Sequence, residues 1–353
     1  MGVWVQPVGV RFALVNRRRS LTLCYASSIV MAEPLKVKTI VCVAEPYLGY
    51  LAHLLSVGQV GFANDYGVRY RQTVRHADLG WLQRNAGLIA WGEGATGALT
   101  FPVVFLAGYL APSTIPEVLT LLALYAQTAR TGDTGLLRHR YPSLKRLDDW
   151  LTGPPEDPYD FRRFGPHADE LLQLGDIMHR NHATYLEEVL PIEGARVAER
   201  VDRTNDQLAT TDLIGRWETL TGYEFRYPTY TFVLSAGMRN GPSYNSLGYE
   251  RNWADCDAEN LFAGIVHEVG THLLVDALRR VRGVADRRLV YDAYETLCDY
   301  YTEKILPPGC RRLIPGSRLY NSQVRTEIER VIEKGEESTA AGILWCVLQR
   351  LAK

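Results

Sequence analysis

The chain has 353 residues, 46% of them hydrophobic and 22% charged, with a formal net charge of −1 at pH 7. That length supports one large or two ordinary domains around a substantial core, and so balanced a charge excludes a protein that binds polyanions through bulk charge. The six cysteines, Cys24, Cys42, Cys256, Cys298, Cys310 and Cys346, are scattered with no C-x-x-C pair, which excludes a disulfide framework and favours reduced thiols in a cytoplasmic setting.

Residues 17–32, RRRSLTLCYASSIVMA, join a basic start to an apolar run that suits cleavage after Ala32. They read either as a leader or misplaced start, with Met31 as the alternative initiator, or as an export signal; in both cases 1–32 lies outside the fold. Residues 36–43, KVKTIVCV, predict a short strand. Helical periodicity follows over 68–91, 115–130, 143–151, 167–189, 192–208 and 211–221. The apolar stretches 98–112 and 115–126 are too short, and too bounded by Pro102, Pro112 and Pro116, to span a membrane, so they read as buried core. The segment 152–166, rich in proline, glycine and charge, is the expected boundary between a mostly helical region over 33–155 and a second domain over 160–353. His179 and His182, with Glu187 and Glu188, sit at helical spacing on a charged helix without an evident third ligand, and predict solvated surface.

After Gly222 the pattern becomes aromatic and β-branched. Residues 223–236 predict a strand that Pro228 places at least partly at a sheet edge, where an extended peptide can add by strand pairing. A glycine- and asparagine-rich loop is expected over 237–254, with Asp255 or Asp257 capping the next helix.

That helix, 261–278, reads LFAGIVHEVGTHLLVDAL. Only His267, Glu268, Thr271, His272 and Asp276 are polar, apolar residues occupy every side of the wheel, and such a helix is buried. An ionised Glu268 inside it needs a partner or a metal. Two histidines flanking a glutamate suggest a zinc site of the His-Glu type. Here the histidines are five apart, about 140° on a regular helix, so a widened π-type turn eased by Gly270 is expected to bring them to one face. A second helix over 291–306, YDAYETLCDYYTEKIL, carries Glu295 and Asp299 at i and i+4. Glu295 would complete a His2Glu ligand set for Zn2+ with one position left to water, and Asp299 would orient a ligating histidine.

HEVGTHLL together with YETLC resembles the HExxxH signature of the tyrosine carboxypeptidase family first recognised on microtubules, which also contains bacterial proteins named for a QEGLA motif; the likeness covers about forty residues, and Glu295 and Leu297 match the Glu and Leu of QEGLA. The E-x-x-x-D pair, Glu295 and Asp299, is similar to that of thermolysin-like gluzincins. The resemblance implies a helix-rich α+β fold with a gluzincin-like catalytic core and an edge β-strand preceding the active-site helix. It implies His267, His272 and Glu295 as zinc ligands, Glu268 as general base, and peptide-bond hydrolysis through a metal-activated water. Tyr249, Arg251 and Tyr294 are the candidate oxyanion stabilisers. The expected partner is a peptide or protein substrate, with no nucleic acid and no membrane span. The alternative is a non-catalytic helical interaction protein in which the HExxxH helix is structural.

Overall fold

Short runs of alternating or continuous apolar residues build the sheet. The computed structural model describes residues 38–61, 64–92, 95–147, 161–239, 244–245, 251–306 and 321–352. The expected leader 1–32, Tyr249 and most of 152–166 lie outside the described residues. The strands are β1 (Thr39–Val43), a hairpin of β2 (Trp91–Gly92) and β3 (Ala95–Thr96), then β4 (Thr229–Ser235), β5 (Tyr244–Asn245) and β6 (Arg251–Asp255). The main sheet has the order β1-β4-β6-β5: the first three strands are parallel, and β5 runs antiparallel to β6.

This order corrects the expectation for 223–236. The strand there, β4, is central, paired with β1 on one side and β6 on the other. Pro228 lies just before it, where its missing N–H costs no ladder bond, and its carbonyl accepts the Thr39 N–H at 3.0 Å. With both edges occupied, β4 offers no site for strand addition. An edge strand does precede the helix that carries HEVGTH, but it is β5, and β5 and most of β6 arise from the span read as a loop. The outer edge of β1 is closed by a side chain. Asn205 accepts the Cys42 N–H at 2.7 Å and donates to the Cys42 carbonyl at 2.9 Å, as a neighbouring strand would.

The helices of seven residues or more are α1 (Pro46–Gly58), α2 (His76–Arg84), α3 (Ile115–Thr131), α4 (Ala168–Thr184), α5 (Leu190–Leu208), α6 (Leu213–Thr221), α7 (Leu261–Leu273), α8 (Val275–Val281), α9 (Arg287–Ile305), α10 (Ser322–Glu333) and α11 (Ala340–Leu351). Some boundaries follow local chemistry. In α3 a capping box joins Thr114 and Glu117 at the start, and Gly132 ends the helix at φ 72°. The two helices expected over 167–189 and 192–208 run on through a π turn at Tyr185–Val189, just before Pro191 withholds an N–H from the helical ladder.

One hydrophobic core gathers side chains from α1 through α11, and from Val37 onward the chain forms one structural unit. Because β1 pairs with β4, residues on the two sides of 152–166 share a single sheet. No single helix among the described residues is long and apolar enough to cross a membrane; α7 and α8 together have the length and composition, but they meet at a 51° bend and most of their residues are buried in the core. That bend, at Leu274, also divides the helix expected over 261–278.

Candidate functional site

The helix α7 is seated by its backbone. Trp217 of α6 donates its indole N–H to the Val266 carbonyl at 2.9 Å, and a Cβ built on Gly270 would meet the Trp217 ring at 2.3 Å. Gly270 therefore makes room for an indole. The π turn expected there is not formed: α7 is α-helical from Leu261 to Leu273. Asn260, rather than Asp255 or Asp257, occupies the cap position. The Asp255 carboxylate instead accepts the Asp257 N–H at 2.8 Å, and Asp257 pairs with Arg196 at 2.6 Å.

A regular helix sends its two histidines in different directions. His267 faces α9, where its Nε2 lies 3.0 Å from Oε2 of Glu295 and its Nδ1 lies 2.8 Å from Oδ1 of Asp299. The i, i+4 pair on α9 thus brackets one imidazole, and both His267 and Glu295 are buried. The contact of hydrogen-bond geometry is the one between Nε2 and Glu295, whereas Asp299 faces Nδ1 at ion-pair distance. A ring nitrogen 3.0 Å from a carboxylate oxygen shares with it a proton, as a hydrogen bond, or a metal ion in the proton's place. Two donors bound to one tetrahedral zinc at about 2.0–2.1 Å lie about 3.3 Å apart, so this pair needs to open by only a few tenths of an ångström. Histidine, carboxylate and an orienting second carboxylate are the donor chemistry of such a site.

His272 lies elsewhere. Its ring is buried among Phe225, Tyr227 and Tyr230, at centroid distances of 4.8, 5.7 and 5.1 Å. Between the histidines, Glu268 is half-buried, and the Thr271 hydroxyl, with one proton to give, lies 3.1 Å from its Oε2 and 3.0 Å from its carbonyl. The partner that Glu268 requires is supplied from one turn along its own helix. The Tyr230 hydroxyl approaches the Glu268 carbonyl at 3.4 Å from the sheet.

The candidate oxyanion stabilisers are placed away from this role. Tyr249 lies outside the described residues. Arg251 opens β6 and is paired with Glu45, and burial lowers its pKa. Tyr294 is buried and donates its only proton to the Thr271 carbonyl; burial raises its pKa well above the usual tyrosine range.

Sequence reasoning missed Thr271, Tyr230 and Trp217. Thr271 had a signal, a hydroxyl three residues after Glu268 within HEVGTH, but the indole contact joins residues forty-nine apart in sequence. A second set of donors, Asp255, Cys256 and Asp257, has its ligand atoms within 4.8 Å of one another. Burial and then the two aspartates push the Cys256 thiol up to about 12, which disfavours the thiolate that binds metals. His179 is exposed as expected, whereas His182 is half-buried with its ring edge-on to Tyr50 at 5.1 Å. A cleft of about 470 Å³ opens beside Thr229, Thr231, Arg251 and Tyr109, and Tyr227 on its wall also touches the His272 ring. By strand alternation, Thr229 and Thr231 point to the sheet face opposite Tyr230. No family model, curated protein or solved structure matches the chain.

Proposed function

We propose that this chain is a zinc-dependent peptidase in which His267 and Glu295 would hold the metal and Glu268 would be the general base, while His272, the third ligand expected from HEVGTH, is turned into the aromatic core and does not join them. The observation that carries the reading is the bracketing of a buried His267 by Glu295 and Asp299, one residue from a half-buried glutamate. Asp299, 2.8 Å from Nδ1, would orient the imidazole and so present Nε2 towards Glu295. A zinc ion held by His267 and Glu295 would supply the Lewis acidity that polarises a scissile carbonyl and acidifies a water. Glu268 takes the proton of the attacking water and returns it to the leaving amine. Thr271 steadies one carboxylate oxygen, which keeps the other in a constant orientation for that transfer. The substrate class is a peptide or protein.

One observation favours the alternative, a metal-free structural helix. The His272 ring packs among three aromatic rings, as a core residue would. Elemental analysis of purified wild type, His267→Ala and Glu295→Ala separates the two readings. Stoichiometric zinc in the wild type and its loss in both variants supports the peptidase. A wild-type protein that stays metal-free even after zinc is supplied leaves the structural helix.

A further inference from the structure

The sheet face opposite Tyr230 is covered at one end only. Val233 of β4 and Trp253 of β6 stand side by side on it, both buried, and the helical segment Phe101–Leu110 lies so close that a Cβ on Gly108 would meet the Trp253 ring at 2.4 Å. That segment ends at Ala111, whose φ of 48° turns the chain aside. The rows nearer the start of the strands, Thr231 beside Arg251 and Thr229 beside Thr39, are therefore partly open, and both β4 threonines are half-buried where Val233 is buried. Thr229, Thr231 and Arg251 are the floor of the cleft of about 470 Å³, and Tyr109, Tyr141, Ser143 and Tyr227 stand around it.

The chemistry of this lining selects among ligands. Arg251 is the only charged side chain among the described residues that line the cleft; it is paired with Glu45, and burial lowers its pKa. An ion entering here would give up water for a site whose one charge is already compensated, which is unfavourable. Hydroxyl groups dominate instead, from two threonines, a serine and three tyrosines, and each can donate and accept. The tyrosines add flat apolar ring faces. An extended peptide finds no strand to join, because β4 is paired on both sides and Asn205 closes the outer edge of β1. The ligand that matches is uncharged, carries hydroxyls around a compact ring, and has apolar ring faces of its own. A neutral sugar of about one or two rings has these properties and suits the volume.

We propose that this cleft is a binding site for a neutral saccharide, with the Tyr141 ring and the Ser143 and Thr231 hydroxyls among its contacts. The proposal is independent of the peptidase reading, because the cleft floor faces away from Tyr230 and its approach to Glu268.

Saturation-transfer difference NMR on the full chain tests it. The probes are glucose, galactose, maltose, cellobiose and lactose, with glucuronate and glucosamine as charged controls. Transfer to at least one neutral probe is expected, with a dissociation constant on the order of a millimolar. Tyr141→Ala is expected to weaken that binding about tenfold through loss of the ring. Ser143→Trp fills the cleft from an exposed position and is expected to abolish binding at an unchanged melting temperature. No transfer to any neutral probe overturns the proposal, and so does binding that survives in Ser143→Trp. Glucuronate or glucosamine binding more tightly than the neutral sugars also overturns it, since charge rather than hydroxyl pattern would then select the ligand. Should Tyr141→Ala fail to fold, Ser143→Trp decides alone.

Discussion

Two buried histidines on two apolar helices show how differently the same side chain can be accommodated. His53, in α1, is wholly buried, with Nδ1 3.0 Å from the Tyr66 hydroxyl and Nε2 3.1 Å from the Thr73 hydroxyl. The rings of Tyr50, Tyr70 and Tyr185 close around it. Hydroxyls donate or accept as required, so the ring is satisfied while neutral, and burial pushes its pKa down to about 3. His267, in α7, is almost as buried, but its partners are the carboxylates Glu295 and Asp299. Carboxylates accept only, so they cannot turn to suit the ring as hydroxyls do. Burial alone would rank these histidines together; the neighbours distinguish a packing residue from a candidate ligand.

The largest effect tests the catalytic side of that contrast. Glu268→Gln keeps the size of the side chain and an acceptor for Thr271 but removes the base. Peptide hydrolysis is expected to fall by about 10²–10⁴-fold with zinc content unchanged. Equal turnover by wild type and variant would remove Glu268 from the mechanism.

The packing histidine is tested by acid. Its folded pKa of about 3 lies below the ordinary value of 6.5, so between these values the unfolded chain binds more protons than the folded one. Stability from keeping His53 neutral is complete above pH 6.5 and declines as the pH falls towards 3, by on the order of 4 kcal/mol from this group. Denaturant midpoints measured from pH 7 to pH 4 should therefore fall more steeply for wild type than for His53→Gln. Parallel curves would show that another group drives the acid response.

The smallest effect concerns how α7 is held. Gly270→Ala sets a methyl group against the Trp217 ring and should cost about 1–3 kcal/mol, read as a lowered melting temperature. A neutral substitution would mean that the ring has room to move.

Part of this arrangement was legible in the residues. The greasy run from Leu261 and the periodicity of 291–306 marked segments that are helical, and the i, i+4 spacing of Glu295 and Asp299 sets both beside His267. The break at Leu274 was not legible, because neither Leu274 nor Val275 carries a helix-stopping feature. Pro228 misled through its position: it adjoins β4 without belonging to it. β6 was hidden because RNWAD looks like a polar loop segment, although its three middle residues are buried. The surroundings of His272 come from Phe225, Tyr227 and Tyr230, a contact between distant segments that no local pattern announces.

The closure of β1 has a consequence for how the protein is made. Its outer edge waits for Asn205, 163 residues after Cys42, and its inner edge for β4, where Thr39 meets Thr229 190 residues on. During synthesis TIVCV therefore emerges long before either partner exists, as an apolar, β-branched segment with both sides unpaired. Its safety on the ribosome depends on something other than its native neighbours, and the yield of soluble protein is expected to be more sensitive to these five residues than the stability of the finished fold.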